Sequence, residues 1–283
     1  TNPIDTGGLA AIPTIPTELP PAPPSNGLPT VEVGAVADGS LQLVTDDTGL
    51  RVPDGTDSAS FSFAQAINDA VVFNFGPDGP GASTIGGWSL SLASGLQGNP
   101  ATVLDEAGNQ IPLLTASDNP VFLYSLGGVV VGSTSSVPPL SADDSSVVFR
   151  LFVDVSGTVT LTQLQPIEHY NSTSNNELLQ LADGQIQLSA TASIVDANGD
   201  TAATSVVVDL GRNIGFLDDG PSVGIVSLNA VVAVDETNVG EGFVDGPISN
   251  TSAGAIVSAE TLFGADGAAT ADAVVYGLNL SGT

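Results

Sequence analysis

The sequence predicts an all-β protein, an antiparallel β-sandwich of the immunoglobulin-like or a related kind. Two observations carry that expectation. Short runs alternate apolar with polar residues, as in Trp88-Ser89-Leu90-Ser91-Leu92, where Trp88, Leu90 and Leu92 share one face. Gly, Asp, Asn, Ser and Pro break these runs at short intervals, as strand connections require.

Proline crowds residues 1–29, and because it fixes φ and lacks a donor, this stretch is expected to be an extended arm or linker. Alternating runs then follow at residues 41–44, 60–63, 71–75 and 88–92. A glycine-bounded valine run spans 127–132. Residues 147–155 and 158–163 flank Ser156-Gly157 and predict a hairpin. Residues 185–195 and 203–210 predict another, around Asp196-Ala197-Asn198-Gly199-Asp200. Asn198-Gly199 reads there as a two-residue turn with both residues at positive φ. Only residues 64–70 and 177–181 read as short helices.

Charge narrows the partners. The chain carries 31 Asp and Glu against 3 Lys and Arg, a formal net charge of -28. Such a surface repels nucleic acid and anionic membrane. Hydrophobic residues make up 42% of the chain, enough for a packed core rather than general disorder. Cysteine is absent, which excludes disulfides, thiol nucleophiles and thiolate zinc sites. No apolar run is long enough for a membrane-inserted helix. Carboxylates at this density repel unless neutralised, and bound divalent cations are the natural remedy.

The chain also repeats. Residues 43–49 (LVTDDTG) are similar to 233–238 (AVDETN), and residues 88–92 (WSLSL) to 276–280 (YGLNL). With Pro29-Thr30-Val31 against Pro221-Ser222-Val223, the offsets are 189, 188 and 192 residues. The expected organisation is an arm over 1–29, a complete unit over 30–220 with a possible internal split near 139, and the first part of a second unit over 221–283.

Three runs in order carry a family resemblance: VVFRLFVDVSGTVTLTQLQPIEH, IQLSATASIVDANGDTAATSVVVDLG and IGFLDDGPSV, followed by VDET. Together they resemble the tandem repeats of RTX-type adhesins, giant bacterial surface proteins exported by type I secretion. The resemblance is best over residues 129–220. It implies an extracellular, calcium-loaded β-stalk that extends or adheres at the cell surface or in a biofilm matrix. The glycine-rich nonapeptide repeats and the secretion signal of such proteins are not in this sequence.

The candidate metal ligands follow from the acidic turns. Asp196, Asn198 and Asp200 alternate as in the first half of an EF-hand loop, but Thr201 and Val207 stand where that loop needs glycine and glutamate. A solvated hairpin turn is the competing reading. Asp218 and Asp219 lie at the junction between units, Asp235 and Glu236 begin the next, and Asp46 with Asp47 are the matching pair of the first. Ca²⁺ bridging such pairs would stiffen the joint; a solvated, backbone-capping turn is the alternative. Asp78, Asp143 and Asp144 are weaker candidates, and Asp154 is expected to be structural. His169 is the only histidine, and no serine sits in a nucleophile elbow, so no catalytic residues are assigned. The expected function is a calcium-stabilised structural or adhesive protein, a filament or stalk subunit. Its expected partners are copies of itself joined head to tail, neighbouring repeats, or host and matrix glycans. A carbohydrate-active enzyme or glycan-binding module on the same scaffold is the alternative.

Overall fold

The computed structural model describes residues 27–36, 41–50, 55–170, 174, 176–228, 232–233, 251–252, 254–265, 267–268 and 274–277. All but the last three residues of the proline-rich stretch lie outside this set. In chain order the first strands are β1 (Thr30–Val33), β2 (Leu43–Asp46), β3 (Asp57–Ser62), β4 (Val71–Asn74), β5 (Pro80–Leu92) and β6 (Thr102–Leu104). Next come β7 (Gln110–Pro112), β8 (Phe122–Leu126), β9 (Val129–Ser133), β10 (Val147–Val153) and β11 (Thr158–Gln163). The series ends with β12 (Leu178–Leu181), β13 (Ile186–Asp196), β14 (Thr201–Asp209), β15 (Ile214–Leu217), β16 (Ser222–Ser227) and β17 (Val257–Leu262). A 3-10 turn covers Asp47–Leu50, and the helix α1 spans Ala64–Ala70.

The protein is all-β. One five-stranded sheet runs β3-β11-β10-β9-β8, a second β2-β15-β12-β6-β7, and a three-stranded sheet β14-β13-β5. Every described pairing of strands is antiparallel except β15 beside β2. One buried cluster joins all three sheets. Phe149, Leu151 and Leu161 come from the first sheet, Leu179, Leu181 and Phe216 from the second, and Leu188, Ala190 and Val206 from the third. The Phe149 and Phe216 rings meet across two layers at 5.4 Å. Alternation explains the strands: in β11, Val159, Leu161 and Gln163 point inward while Thr158, Thr160 and Thr162 face out.

Two expectations are corrected. Residues 177–181 are not helical. Leu178–Leu181 is a strand held between β15 and β6, with Leu179 and Leu181 buried. Cross-strand pairing outweighs the helix propensity of leucine and glutamine there. Strand pairing spans residue 139: β9 pairs directly with β10, and β5 and β2 pair with β13 and β15 far downstream. The run at 88–92 is only the end of a 13-residue strand. Within it Gly87 and Trp88 together oppose the single residue Ala190, a bulge that shifts the register between Ser189 and Thr191. The helix at 64–70 is where the sequence puts it. Ile67 and Ala70 anchor it in the core, and Gln65 donates to Asp69 one turn on.

Candidate cation site

Several hairpin loops share one local design, and it decides which aspartates are free to bind anything. In 105–109, 154–158 and 196–200 an aspartate N–H donates to the carbonyl four residues on. The fourth residue of each loop is a positive-φ glycine: Gly108, Gly157 or Gly199. This is a three-residue loop closed by a left-handed glycine, not the two-residue turn expected at Asn198-Gly199; Asn198 is not at positive φ. The first aspartate caps its own loop. Asp154 Oδ1 accepts from the N–H groups of Ser156 and Thr158, and Asp105 Oδ1 from those of Ala107 and Asn109. These are half-buried, structural carboxylates.

Hydrogen bonds also hold them below the ordinary carboxyl value. The Asn109 side chain acts foremost on Asp105, the Ser156 hydroxyl on Asp154, and the Ser146 N–H on Asp144. A depressed folded value contributes stability that is complete above the unfolded value. That contribution is lost as pH falls through the folded one. The thermal midpoint is therefore expected to fall as pH drops below about 4. Scans at successive pH values check this; a midpoint that stays level or rises on acidification would contradict it.

Asp196 differs from the other two. Its Oδ1 caps the loop in the same way, accepting from Asn198, Gly199 and Asp200 at 3.1, 3.0 and 2.9 Å. Yet Asp196 is only 3% exposed, and its Oδ2 is buried with no hydrogen-bond partner. Asp78, from the loop between β4 and β5, reaches the same place. Its Oδ2 accepts from the Asn198 amide at 3.2 Å, and its Oδ1 is likewise buried without a partner. Asp200 completes the group: one carboxylate oxygen from each of Asp78, Asp196 and Asp200 lies within 4.8 Å of the other two. Long pairing of β5 with β13 brings these residues together, since Asp196 stands opposite Pro80. Gly81 is needed there, because a Cβ would collide with the Val195 and Asp196 carbonyls.

Three converging carboxylates repel one another, and a buried acceptor left unpaired is costly. A hard divalent cation cures both faults. All-oxygen donors suit Ca²⁺ or Mg²⁺ rather than a thiophilic metal. The orphaned oxygens of Asp78 and Asp196 fit such an ion.

The other candidates are placed differently. Asp46 Oδ1 accepts the Thr48 N–H, and Asp47 is fully buried, taking hydrogen bonds from the Gln163 amide and the Ile167 N–H. Asp143 pairs with Arg150, and Asp144 caps Ser146. Asp219 accepts the Ala265 N–H at 2.9 Å and so fastens the loop after β17 to the segment between β15 and β16. Burial pushes the Asp218 and Glu168 carboxyls up and the neighbouring His169 imidazole down. None of these joins a three-ligand group among the described residues. Asp235 and Glu236 lie outside the described residues.

Asp78 is the member of this carboxylate group underweighted from sequence, and a signal was present. It sits in Phe75-Gly76-Pro77-Asp78-Gly79, which recurs as Phe263-Gly264-Ala265-Asp266-Gly267, 188 residues on. Residues 42–211 match a family described as "Domain of unknown function (DUF5801)". No curated protein and no solved structure matches the chain.

Proposed function

The chain belongs to the DUF5801 family, and on that premise we propose that it is an extracellular structural or adhesive protein, a calcium-stabilised β-repeat stalk or fibre subunit. The observation that carries this reading is the likeness of two antiparallel strand pairs. β1 pairs with β4 with Thr30 opposite Asn74, and β16 pairs with β17 with Ser222 opposite Leu262. Each is followed by the recurring glycine loop, with Gly76 and Gly79 at positive φ in one and Gly264 and Gly267 in the other. Even the packing recurs: a Cβ on Gly76 would strike the Gly27 carbonyl, and one on Gly264 the Asp219 carbonyl. Residues 219 and 27 are 192 positions apart, the offset found at Thr30 and Ser222.

Among the described residues, the second strand pair lacks the first one's cover. Val31 and Phe73 pack against the core, whereas Val223 and Ile225 are 66% and 75% exposed. Further repeat structure, from a neighbouring unit or from another copy joined head to tail, is what such a face fits. The resemblance to RTX-type adhesin repeats supports bacterial surface localisation and the choice of Ca²⁺. The cation group supports a metal-stabilised fold. No described helix is long and apolar enough to cross a membrane. The reading assigns no catalysis.

Electron microscopy of the concentrated chain in calcium tests the assembly. End-to-end filaments are the expected result, and a field of monomers alone would remove the fibre.

A further inference from the structure

The adhesive half of that reading requires a surface that recognises something, and one groove has the chemistry for it. The groove measures about 520 Å³ and runs along β5 between α1 and the β10–β11 turn. That volume lies within the range of small-ligand clefts. None of its lining residues is charged, although the chain carries a net charge of -28. Trp88 and Phe73 supply aromatic surface; Asn68, Gln65, Ser83 and Thr84 supply amides and hydroxyls.

One contact fixes the aromatic wall of the groove, and two features leave hydrogen-bonding groups open to a ligand. Gly157, at positive φ, lies so close to the indole that a Cβ there would fall 2.6 Å from Trp88 Cζ2, so the ring is wedged in place. Asn68 is exposed on α1, and its side-chain amide has no hydrogen-bond partner among the described residues. β5 is also an edge strand, so backbone N–H and C=O groups along that side have no ladder partner among the described strands.

We propose that this groove binds a neutral saccharide, with sugar C–H faces on Trp88 and hydroxyls on Asn68 and its neighbours. An aromatic ring offers a negative face to the polarised C–H groups of a pyranose. Amides and hydroxyls both donate and accept, as sugar hydroxyls do. A charged ligand would find no counter-charge among the lining residues. An extended peptide on the β5 edge is the competing occupant. A polar, uncharged lining beside a fixed aromatic ring favours the sugar. No carboxylate lines the groove, so binding needs no calcium bridge. The inference rests on the adhesive reading only for its biological purpose.

Trp88 is the only tryptophan, so its fluorescence reports the groove directly. The folded full-length chain is titrated with a panel of neutral oligosaccharides: cellobiose, maltose, mannobiose, chitobiose, laminaribiose and lactose. Sialyllactose and a peptide of residues 12–24 serve as contrasts. The expected result is a saturable blue shift with at least one neutral sugar, unchanged by chelator under conditions where circular dichroism shows the fold intact. Asn68→Ala should keep the native spectrum and weaken binding about tenfold, the loss of one hydrogen bond to the sugar. The proposal is overturned if no neutral sugar in the panel saturates the signal. A preference for sialyllactose or the peptide, equal binding by Asn68→Ala, or loss of binding in chelator with the fold intact would also overturn it. Calcium dependence of stability is read separately, so either result can fail alone.

Discussion

Millimolar calcium is expected to raise the thermal midpoint of the chain by about 5–10 °C over the same protein in excess chelator. The estimate follows from mass action: ligand at a hundred times its Kd stabilises by about 2.7 kcal/mol. For a unit of this size each kcal/mol moves the midpoint by about 2–4 °C. The ion would join the loop carrying Asp78 to the loop carrying Asp196 and Asp200, so it closes β5 against the β13–β14 hairpin. Asp78→Asn removes one charge and one anionic donor and should abolish most of the rise. Asp154→Asn, in a loop of the same shape that meets no other carboxylates, should leave it intact. Circular dichroism melts of the three proteins with and without calcium make the comparison. A rise retained in Asp78→Asn would place the ion elsewhere; no rise in any of them would mean that the group is closed without calcium.

Asp47→Ala is expected to lower the midpoint by roughly 10 °C, and by the same amount in calcium and in chelator. Asp47 is fully buried and accepts from the Gln163 amide and the Ile167 N–H, which tie the 3-10 turn to the strand-and-loop segment after β10. Hydrogen bonds to a charged group are worth about 1.5–3 kcal/mol each, and both donors would be left buried. A loss of about 3–4 kcal/mol corresponds to that shift. The calcium arm separates the two roles read from sequence. Equal destabilisation in both buffers fits a structural carboxylate; a drop confined to calcium would return Asp47 to the ligands.

These two aspartates show where sequence reading succeeds and where it stops. Alternation made the all-β class, the 64–70 helix and both long hairpins legible, because side-chain period and turn chemistry are local properties. The Asp196 loop was legible as a carboxylate-bearing turn for the same reason. Its difference from the Asp154 loop was not, because both aspartates cap their loops alike. Only the tertiary structure shows Asp196 Oδ2 buried and unpaired, beside an Asp78 that comes from more than a hundred residues earlier. Asp46 and Asp47 looked alike as neighbours, yet burial sends Asp47 into the core.

By itself, then, the sequence determined the class of fold, its strand-forming segments, the acidic surface and the offset at which the pattern returns. Tertiary structure decided which carboxylates converge, that residues 177–181 form a strand, and that β5 is 13 residues long. The reason is physical: strand pairing and burial are set by partners distant in the chain. A glycine pair or an aspartate carries no local sign of which neighbour will reach it.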